Sequence, residues 1–181
     1  MKREVNPFEY ANEICKAMPA GILLTTRSAE KLNTMTIGWG HIGIEWNLPV
    51  FVAYVRESRF TKQMLEENGE FTVNVPMGPV NRRILRICGT ASGRNMDKFK
   101  EMKLTPEEPV SISVPGIREL PLTLECKVIY KQKQDLSAIP QEILEKFYPV
   151  EADTLHPGSD RDYHIAYYGQ ILNAYIIEED G

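Results

Sequence analysis

The sequence is poor in cysteine and has no long apolar run, and each absence excludes a class of protein. Its three cysteines, Cys15, Cys88 and Cys126, are odd in number and far apart. They form no Cys-x-x-Cys pair, so neither a zinc site nor a dithiol redox motif is indicated. The longest apolar runs, residues 19–26 and 46–55, are far shorter than the roughly 20 residues of a membrane-spanning helix. The sequence therefore predicts reduced thiols in a cytoplasm and no membrane segment.

An excess of positive charge is also missing. The chain has 21 Lys and Arg residues against 25 Asp and Glu residues, which gives a net charge of −4. This mild acidity argues against a broad nucleic-acid-binding face and against a polybasic membrane patch. It leaves room for a small arginine cluster that binds a single phosphate. Residues 1–7 lead straight into a capped helix instead of an apolar signal region, so export is not expected.

What the chain does contain is the pattern of a single domain, residues 1–181, built mainly of β-strands. Apolar, β-branched and aromatic residues predict six or seven strands, at residues 20–26, 33–44, 50–55, 70–76, 122–131 and 164–177, the last being one strand or a strand pair. A first helix capped by Asn6 and further short helices are expected, the latter at residues 58–68, 80–87, 97–102 and 139–148. Strands joined by short turns favour an antiparallel sheet, which tends to close into a barrel in a small domain.

Three glycines, Gly38, Gly40 and Gly43, interrupt the strand predicted at residues 33–44. One interpretation is a strongly bent, bulged strand of a barrel. The other is that a flat or bulky ligand lies against this part of the backbone. Both interpretations can hold at once.

No nucleophilic triad or metal pattern is recognisable in the sequence. The three histidines, His41, His156 and His164, lie outside any serine or cysteine motif. His156 and His164 are separated by a Pro-Gly loop instead of a metal-ligand spacing. We interpret His41 and His156 as surface or hydrogen-bonded side chains and expect no bound metal. The sequence assigns no certain catalytic residue.

The strongest local signal is residues 56–61, where a strand is predicted to end and a helix to begin. A helix N-terminus attracts an anion through its free backbone N–H groups and the positive end of its dipole. Ser58 and Thr61 add hydroxyl groups, and Arg56 and Arg59 add charged, fork-shaped donors that suit phosphate. This pattern indicates a phosphate site. The alternative is that Ser58 simply caps the helix while the arginines pair with surface carboxylates.

Three weaker patterns accompany this signal. Residues 33–36 enter a strand from a turn and can offer backbone groups to the polar edge of a planar heterocycle. Asn74 is unusual because Asn is disfavoured inside strands, and it either borders a ligand or bonds a neighbouring loop. The glycine-containing loop at residues 88–94 either approaches a phosphate or ribityl chain or merely connects two helices. Cys88, at the start of this loop, is interpreted as a small buried residue.

Five motifs, taken in order along the chain, resemble those of the flavin reductase-like, FMN-binding split-barrel proteins, most closely the flavoredoxin branch. The motifs are residues 33–39, 56–61, 71–76, 88–94 and 164–171. The resemblance extends from about Met18 to about Tyr175. It implies a six-stranded antiparallel split β-barrel that forms a homodimer, with FMN bound in a groove at the dimer interface.

The resemblance also implies roles for individual residues. Ser58, Arg59 and Thr61 are implied to hold the FMN phosphate, with Arg56 close by. Those implied to surround the isoalloxazine ring or the ribityl chain are Asn33, Thr34, Met35, Thr36, Trp39, Asn74, Val75, Cys88, Ser92 and Gly93. His164 and Tyr168 are implied to lie near the open face of the flavin, where a nicotinamide can stack.

Two positions depart from the family pattern. Gln170 stands where many relatives carry Glu, and residues 46–48 differ from the Asp-Pro-Pro common in reductases that feed monooxygenases. These differences favour the flavoredoxin-like branch and weaken the assignment of a monooxygenase partner. The expected function is an FMN oxidoreductase that uses NADH or NADPH to reduce flavin or a further acceptor. The alternatives are an FMN electron carrier served by a redox protein partner, and a flavin-binding module without turnover.

Overall fold

A computed structural model describes the chain at residues 1–29, 31–149 and 162–178. The prediction made for His156 lies outside these ranges, as does most of the loop expected before the last strand. Within them, no helix is long and apolar enough to cross a membrane. Cys15, Cys88 and Cys126 are free thiols.

The described chain alternates between strands and short helices. The strands are β1 (Lys2–Glu4), β2 (Ile22–Ser28), β3 (Lys31–Ile37), β4 (Gly40–Glu45), β5 (Leu48–Arg56), β6 (Glu70–Val75), β7 (Pro106–Glu107), β8 (Gly116–Ile117), β9 (Leu122–Lys133) and β10 (His164–Ile177). The α-helices are α1 (Ala11–Ala17), α2 (Phe60–Glu67), α3 (Arg82–Thr90), α4 (Lys98–Met102) and α5 (Gln141–Phe147). Short 3₁₀ turns cover Pro7–Tyr10, Met18–Ala20 and Leu136–Ala138.

The first helical segment begins where its sequence predicts. The side chain of Asn6 accepts a hydrogen bond from the backbone N–H of Phe8 (3.1 Å), so it satisfies one of the donors that a helix start leaves free. Proline stands at the first position of this 3₁₀ turn, which continues into α1. On α1, Ile14 is fully buried and anchors the helix on the sheet.

Among the described residues, eight strands form one antiparallel sheet in the order β3-β2-β6-β9-β10-β5-β4, with β1 added beside β10. The long strand β10 pairs with β9 along one edge and with β5 and β1 along the other. β3 and β4 end the order, so within the described residues β3 pairs with β2 alone. β7 and β8 form a separate two-stranded pair.

The predicted class, a mainly β split barrel with short inserted helices, is confirmed, whereas the predicted number of six strands is too low. The pattern at residues 33–44 divides into two strands, β3 and β4, with Gly38 and Trp39 between them. β1 is the other addition, and it is too short for its sequence pattern to be recognised. The last strand is a single long strand instead of a pair.

Gly40, the first residue of β4, lies close against the neighbouring strand β5. A Cβ atom at this position would lie 2.9 Å from the carbonyl oxygen of Val52 and 3.0 Å from the ring of Phe51, so only glycine allows this close approach to β5. Close packing against β5 therefore accounts for Gly40. A Cβ atom added at Gly43 would have no neighbouring atom within 4 Å.

Two apolar cores stabilise the fold. The larger one fills the barrel and includes Phe51, Phe71 and Tyr167, all with at most 1% of their surface exposed. The smaller one lies between the sheet and helices α3 and α4, where Leu23 packs with Cys88 and other apolar residues. Because both faces of this part of the sheet are covered, the strand β6 is buried on both sides. The second core fixes the helices that border the site described next.

Candidate functional site

The start of α2 lies directly after the end of β5. Arg59 is the N-cap residue of α2, and no side chain caps the helix, so Ser58 does not have the capping role considered above. The first backbone N–H groups of α2 are therefore not used by a side-chain cap. This helix start forms one wall of a cavity.

The cavity, here called the anion cavity, has a volume of about 200 Å³. Three segments that are far apart in sequence surround it: β3, the β5–α2 junction and the loop between α3 and α4. Its lining residues are Asn33, Met35, Arg56, Ser58, Arg59, Phe60, Thr61, Thr90, Ala91, Ser92, Gly93, Arg94, Lys98 and Asp162. The structure thus brings together eight of the residues predicted to contact FMN.

Positive charge is concentrated in this cavity. Burial, together with the nearby charge of Arg56, lowers the pKa of Arg59. The guanidinium of Arg59 makes no hydrogen bond to a described residue. A dianion in the cavity would relieve the repulsion between these cations.

Lys98 adds a third cation that the sequence patterns did not indicate. Its side chain is only 4% exposed, and its ammonium group donates to the carbonyl oxygens of Thr34 (2.8 Å) and Cys88 (2.9 Å). Burial lowers the pKa of Lys98 to about 8. An ammonium group has three donors, so one N–H remains after these two bonds.

Asn33 places an unsatisfied acceptor beside the same cavity. Its Nδ2 donates to the hydroxyl oxygen of Thr61 (3.0 Å), whereas its buried Oδ1 has no hydrogen-bond partner. The residue is 3% exposed. Leaving a buried acceptor unpaired costs about 1–3 kcal/mol, so a ligand that donates to this oxygen would be favoured.

Gly93 packs directly against the unpaired oxygen of Asn33. A Cβ atom on Gly93 would lie 2.0 Å from Oδ1 of Asn33 and 3.0 Å from the ring of Phe60. Arg94, the next residue, donates to the carbonyl oxygen of Ser58 (3.1 Å), and its guanidinium lies 5.3 Å from the Phe60 ring centroid. These contacts hold the loop after α3 against the start of α2.

Asp162 is the only described carboxylate that lines the anion cavity. Its two carboxylate oxygens accept from the backbone N–H of Ser58 at 3.1 and 3.0 Å. Its carbonyl oxygen accepts from the guanidinium of Arg56 (2.7 Å). An anionic group already occupies one of the donors at this helix start.

A second hollow, here called the ring cavity, continues from the anion cavity and has a volume of about 140 Å³. The two cavities share Met35, Arg56 and Arg59. Its remaining lining residues are Thr36, Ile37, Gly38, Trp39, Tyr54 and His164. It therefore follows the end of β3, which pairs only with β2 in the part of the chain that the structure describes.

His164 is held as a neutral imidazole in this ring cavity. Burial, with smaller contributions from Arg56 and Arg59, lowers its pKa to about 3. Its Nδ1 lies 2.7 Å from the hydroxyl of Tyr148, and its ring centroid lies 4.8 Å from that of Trp39. The side chain thus offers a flat, uncharged surface next to the exposed Trp39.

Five residues with predicted site roles line neither cavity: Thr34, Asn74, Val75, Cys88 and Tyr168. Val75 belongs to the barrel core. The Thr34 side chain donates to the carbonyl of Leu24 (3.2 Å), although its own carbonyl accepts from Lys98. Cys88 belongs to the smaller core, where burial raises the pKa of its thiol to about 11.

Asn74 is fully engaged in bonds within the protein. Its Nδ2 donates to the hydroxyls of Thr25 and Thr72, each at 3.1 Å. Its Oδ1 accepts from the backbone N–H of Ile117 (2.9 Å) and lies 3.4 Å from the hydroxyl of Thr123. Of the two interpretations of Asn74, its contacts support the hydrogen bond to a neighbouring segment.

Tyr168 lies apart from His164, on the outer face of the sheet. It packs beside Val50, Val52 and Ala166, and its ring centroid is 5.0 Å from that of Tyr130. The two residues predicted to share the open face of the flavin are therefore separated, with His164 at the ring cavity and Tyr168 further along β10.

Sequence reasoning missed Lys98 and Asp162, and also Phe60 and Arg94. Arg94 directly follows the predicted Gly93, so its adjacency was an available signal. Lys98 resembles an ordinary exposed lysine of a short helix, and Asp162 meets Ser58 only through folding across 104 positions. Among the described residues, no group of three or more His, Cys, Asp or Glu side chains is arranged to hold a metal ion.

The fold is an antiparallel split barrel, and positively charged side chains line one of its cavities. Comparison with known proteins gives the family: the sequence pattern of the flavin reductase like domain matches residues 16–181. The chain therefore belongs to the flavin reductase-like family, as its motifs predicted. A relative from Archaeoglobus fulgidus is 30% identical over 121 residues, which cover 67% of both chains.

Solved structures of similar fold agree with this assignment. The flavoredoxin of Desulfovibrio vulgaris (Miyazaki F) has a TM-score of 0.62 and 22% identity, over 87% of this chain and 69% of that one. An FMN-binding domain of a flavin reductase-like enzyme from Shewanella baltica has a TM-score of 0.65 and 15% identity, over 97% and 77%. The flavin reductase HpaC, complexed with NADP+, has a TM-score of 0.57 and 15% identity, over 94% and 89%.

Proposed function

We propose that this protein is an FMN-dependent oxidoreductase that takes electrons from NADH or NADPH and delivers them to free flavin or to a further acceptor. The observation that carries the proposal is the anion cavity, where Arg56, Arg59 and Lys98 meet the uncapped start of α2 and the unpaired Oδ1 of Asn33. A phosphate matches the charge of this cavity. Membership in the flavin reductase-like family supports a flavin nucleotide as the molecule that carries this phosphate.

The phosphate would lie at the junction of β5 and α2. Ser58 and Thr61 offer hydroxyl groups there, and Arg59 offers a guanidinium that bonds no other described side chain. Guanidinium–phosphate bonds are charge-assisted and are about twice as strong as neutral ones. Lys98 and the loop at residues 90–94 close the opposite side of the cavity.

The flavin ring would extend from the phosphate into the ring cavity. Since β3 has one edge without a strand neighbour among the described residues, its backbone groups can bond the polar edge of a planar heterocycle. Trp39 and the neutral His164 would provide flat contact surfaces next to the ring. A neutral imidazole adds no charge that opposes the arrival of a nicotinamide.

The bound FMN would supply the redox chemistry, accepting a hydride from the nicotinamide and passing electrons onward. The protein's own residues would then fix the ring, exclude water on the side of Met35 and leave the side of Trp39 open. No protein nucleophile is needed for this reaction. The HpaC structure with NADP+ supports a nicotinamide nucleotide as the donor.

We also propose that two copies of the chain form a homodimer through the outer face of β4, β5 and β10. The exposed part of this face is formed by Trp46 and Tyr130, which are 58% and 42% exposed, and Tyr130 contacts Tyr168, which packs over the buried Val50 and Val52. An apolar sheet face of this kind is typical of an interface between subunits. Tyr54 joins it to His164 (6.3 Å between ring centroids), so the partner would cover part of the ring cavity. Light scattering tests the dimer, and a monomer that holds stoichiometric FMN would contradict it.

A cytoplasmic location is part of the proposal. It is supported by the unpaired state of Cys15, Cys88 and Cys126, since thiols remain reduced in that compartment. NADH and NADPH are available there.

The second candidate function is an FMN electron carrier that exchanges electrons with a redox protein partner and does not react with nicotinamides. The similarity of fold to a flavoredoxin favours this alternative. A flavin-binding module without turnover is the third candidate, and it predicts that no donor reduces the flavin productively.

The deciding experiment is the visible absorption spectrum of the purified protein before and after NADH or NADPH is added without oxygen. The proposed function predicts a flavin spectrum that bleaches with a nicotinamide. A spectrum that bleaches only with a reduced iron–sulfur protein or flavodoxin would support the electron carrier instead. A colourless protein that does not take up added FMN would overturn both.

A further inference from the structure

A third cavity, larger than the anion cavity and the ring cavity, has no role in the proposed function. Its volume is about 990 Å³, at the upper end of the range of about 300–1,000 Å³ typical of small-molecule sites. Its walls come from α1, the segment at residues 76–80 and α3. Thr36 lines both this cavity and the ring cavity, so both border the end of β3.

Three cationic side chains line this larger cavity: Lys16, Arg82 and Arg86. None of them forms an ion pair with a described residue. Arg82 also lies in the first turn of α3, where the helix dipole is positive and no acidic residue offsets it. A cationic side chain at a helix N-terminus is unfavourable, because the helix dipole is positive there. A bound anion would interact favourably with both the side chain and the dipole.

The remaining lining suits an uncharged, flat body that also carries hydrogen-bond donors. Met77, Val80 and Leu85 contribute apolar surface. Across the cavity, the buried Oε2 of Glu13 has no hydrogen-bond partner. An unpaired carboxylate oxygen can accept a hydrogen bond from a hydroxyl or amino group, such as those of ribose or adenine.

We propose that this cavity binds a nucleoside phosphate, and that its occupant is the adenosine phosphate half of the nicotinamide nucleotide donor. The cations meet the phosphate, the apolar residues meet the base, and Glu13 meets a ribose hydroxyl or the adenine amino group. The position of Thr36 lets the nicotinamide half of the same molecule reach the ring cavity. The proposal rests on the proposed function, because it takes the ring cavity as the flavin site.

The test measures binding of adenosine 5′-monophosphate and of adenosine to the FMN-loaded protein by titration calorimetry. We expect the nucleotide to bind at least tenfold more tightly than the nucleoside. The paired substitution Arg82→Gln with Arg86→Gln is expected to remove this difference, whereas Arg83→Gln is expected to leave it unchanged. Arg83 is the matched control because it belongs to the same helix and carries the same charge but does not line the cavity.

Equal affinity for nucleotide and nucleoside, or no binding of either, would overturn the proposal. The flavin spectrum is recorded for every variant, so loss of FMN is separated from loss of adenosine phosphate. In turnover, the paired variant is expected to raise KM for NADH or NADPH at least tenfold with a smaller effect on kcat. A protein that binds the nucleotide but whose flavin neither NADH nor NADPH reduces would overturn the assignment to the donor.

Discussion

The carboxylate of Asp162 faces the backbone N–H of Ser58, with its two oxygens 3.1 and 3.0 Å from that nitrogen. A negative charge of the protein therefore stands at the helix start where a phosphate is expected. Two anions in one small cavity repel each other unless enough cations surround both. The affinity of the anion cavity for phosphate should therefore depend on the single negative charge of Asp162.

Replacing Asp162 by Asn is expected to tighten FMN binding about threefold to tenfold, a range equivalent to about 0.7–1.4 kcal/mol. The amide oxygen can still accept from Ser58, so mainly the charge changes. Affinities are measured by fluorescence quenching of FMN and of riboflavin. Riboflavin has no phosphate, and its affinity should stay constant. Weaker FMN binding in the variant would show that Asp162 positions the site instead of competing for it.

Arg59→Ala combined with Thr61→Ala is expected to weaken FMN binding about 100-fold and riboflavin binding far less. The guanidinium and hydroxyl would contribute two charge-assisted bonds to the phosphate, and at about 1.5 kcal/mol each their loss corresponds to a factor of roughly 100. The matched control is Lys62→Ala, which removes a cation from the same helix without lining the cavity. Equal losses for the two ligands would mean that this helix start is not a phosphate anchor.

The affinity for FMN is expected to fall as pH rises through about 8, the pKa to which burial lowers Lys98. Below this pH the ammonium is charged and attracts the phosphate, whereas above it the neutral amine does not. A loss of about tenfold between pH 7 and 9.5 corresponds to one charged hydrogen bond of about 1.5 kcal/mol.

The same titration with riboflavin separates Lys98 from effects on the ring, which both ligands share. Lys98→Met should bind FMN weakly at every pH in this range. Arg59 faces Lys98 and keeps its charge throughout, and Cys88 titrates only near 11. A ratio of FMN to riboflavin affinity that does not change with pH would contradict the assignment to Lys98.

Gly93→Ala is expected to weaken FMN and riboflavin binding together, because its Cβ would lie 2.0 Å from Oδ1 of Asn33 and force that side chain into the cavity. The expected loss is at least tenfold for each ligand, as judged by the same fluorescence measurement. Gly69→Ala serves as the control, since its nearest contact would be at 3.8 Å. Unchanged affinity would place the flavin elsewhere.

Gly169→Ala is expected to lower the free energy of unfolding by about 1–3 kcal/mol, the usual cost of overpacking a core. A Cβ atom there would lie 2.4 Å from the ring of Phe71 and 2.9 Å from the Cβ of Cys126. Urea unfolding followed by circular dichroism measures the change. Gly43→Ala should have little effect, because no atom lies within 4 Å of its added methyl group.

Much of the fold and part of the site could be predicted from local patterns. Alternating residues gave β6 and β9, and the capping residue Asn6 gave the first helical segment. The grouping of Arg56, Ser58, Arg59 and Thr61 around the start of α2 was predictable because these four residues lie within six positions of one another. Local patterns failed where a side chain's role depends on distant chain segments, as for Lys98, whose partners lie on β3 and α3.

Asn74 shows the opposite failure. Its rarity in strands correctly marked it as special, but rarity alone does not distinguish a ligand contact from a structural bond. The structure gives its partners as Thr25, Thr72 and Ile117, all within the protein. Sequence patterns identify a polar group that needs a partner, whereas only the packed sheet shows what that partner is.

The position of β10 in the sheet has a consequence for biosynthesis. β10 lies between β9 and β5, yet the ribosome makes it after both of them. While the chain is growing, the β3-β2-β6-β9 half and the β5-β4 half can each form, but among the described strands only β10 joins them. The barrel interior stays open until β10 emerges, so a nascent chain stalled before His164 would expose both halves to chaperones or to aggregation. The same strand brings His164 to the ring cavity, and closure of the barrel and completion of the flavin site would therefore occur in one step.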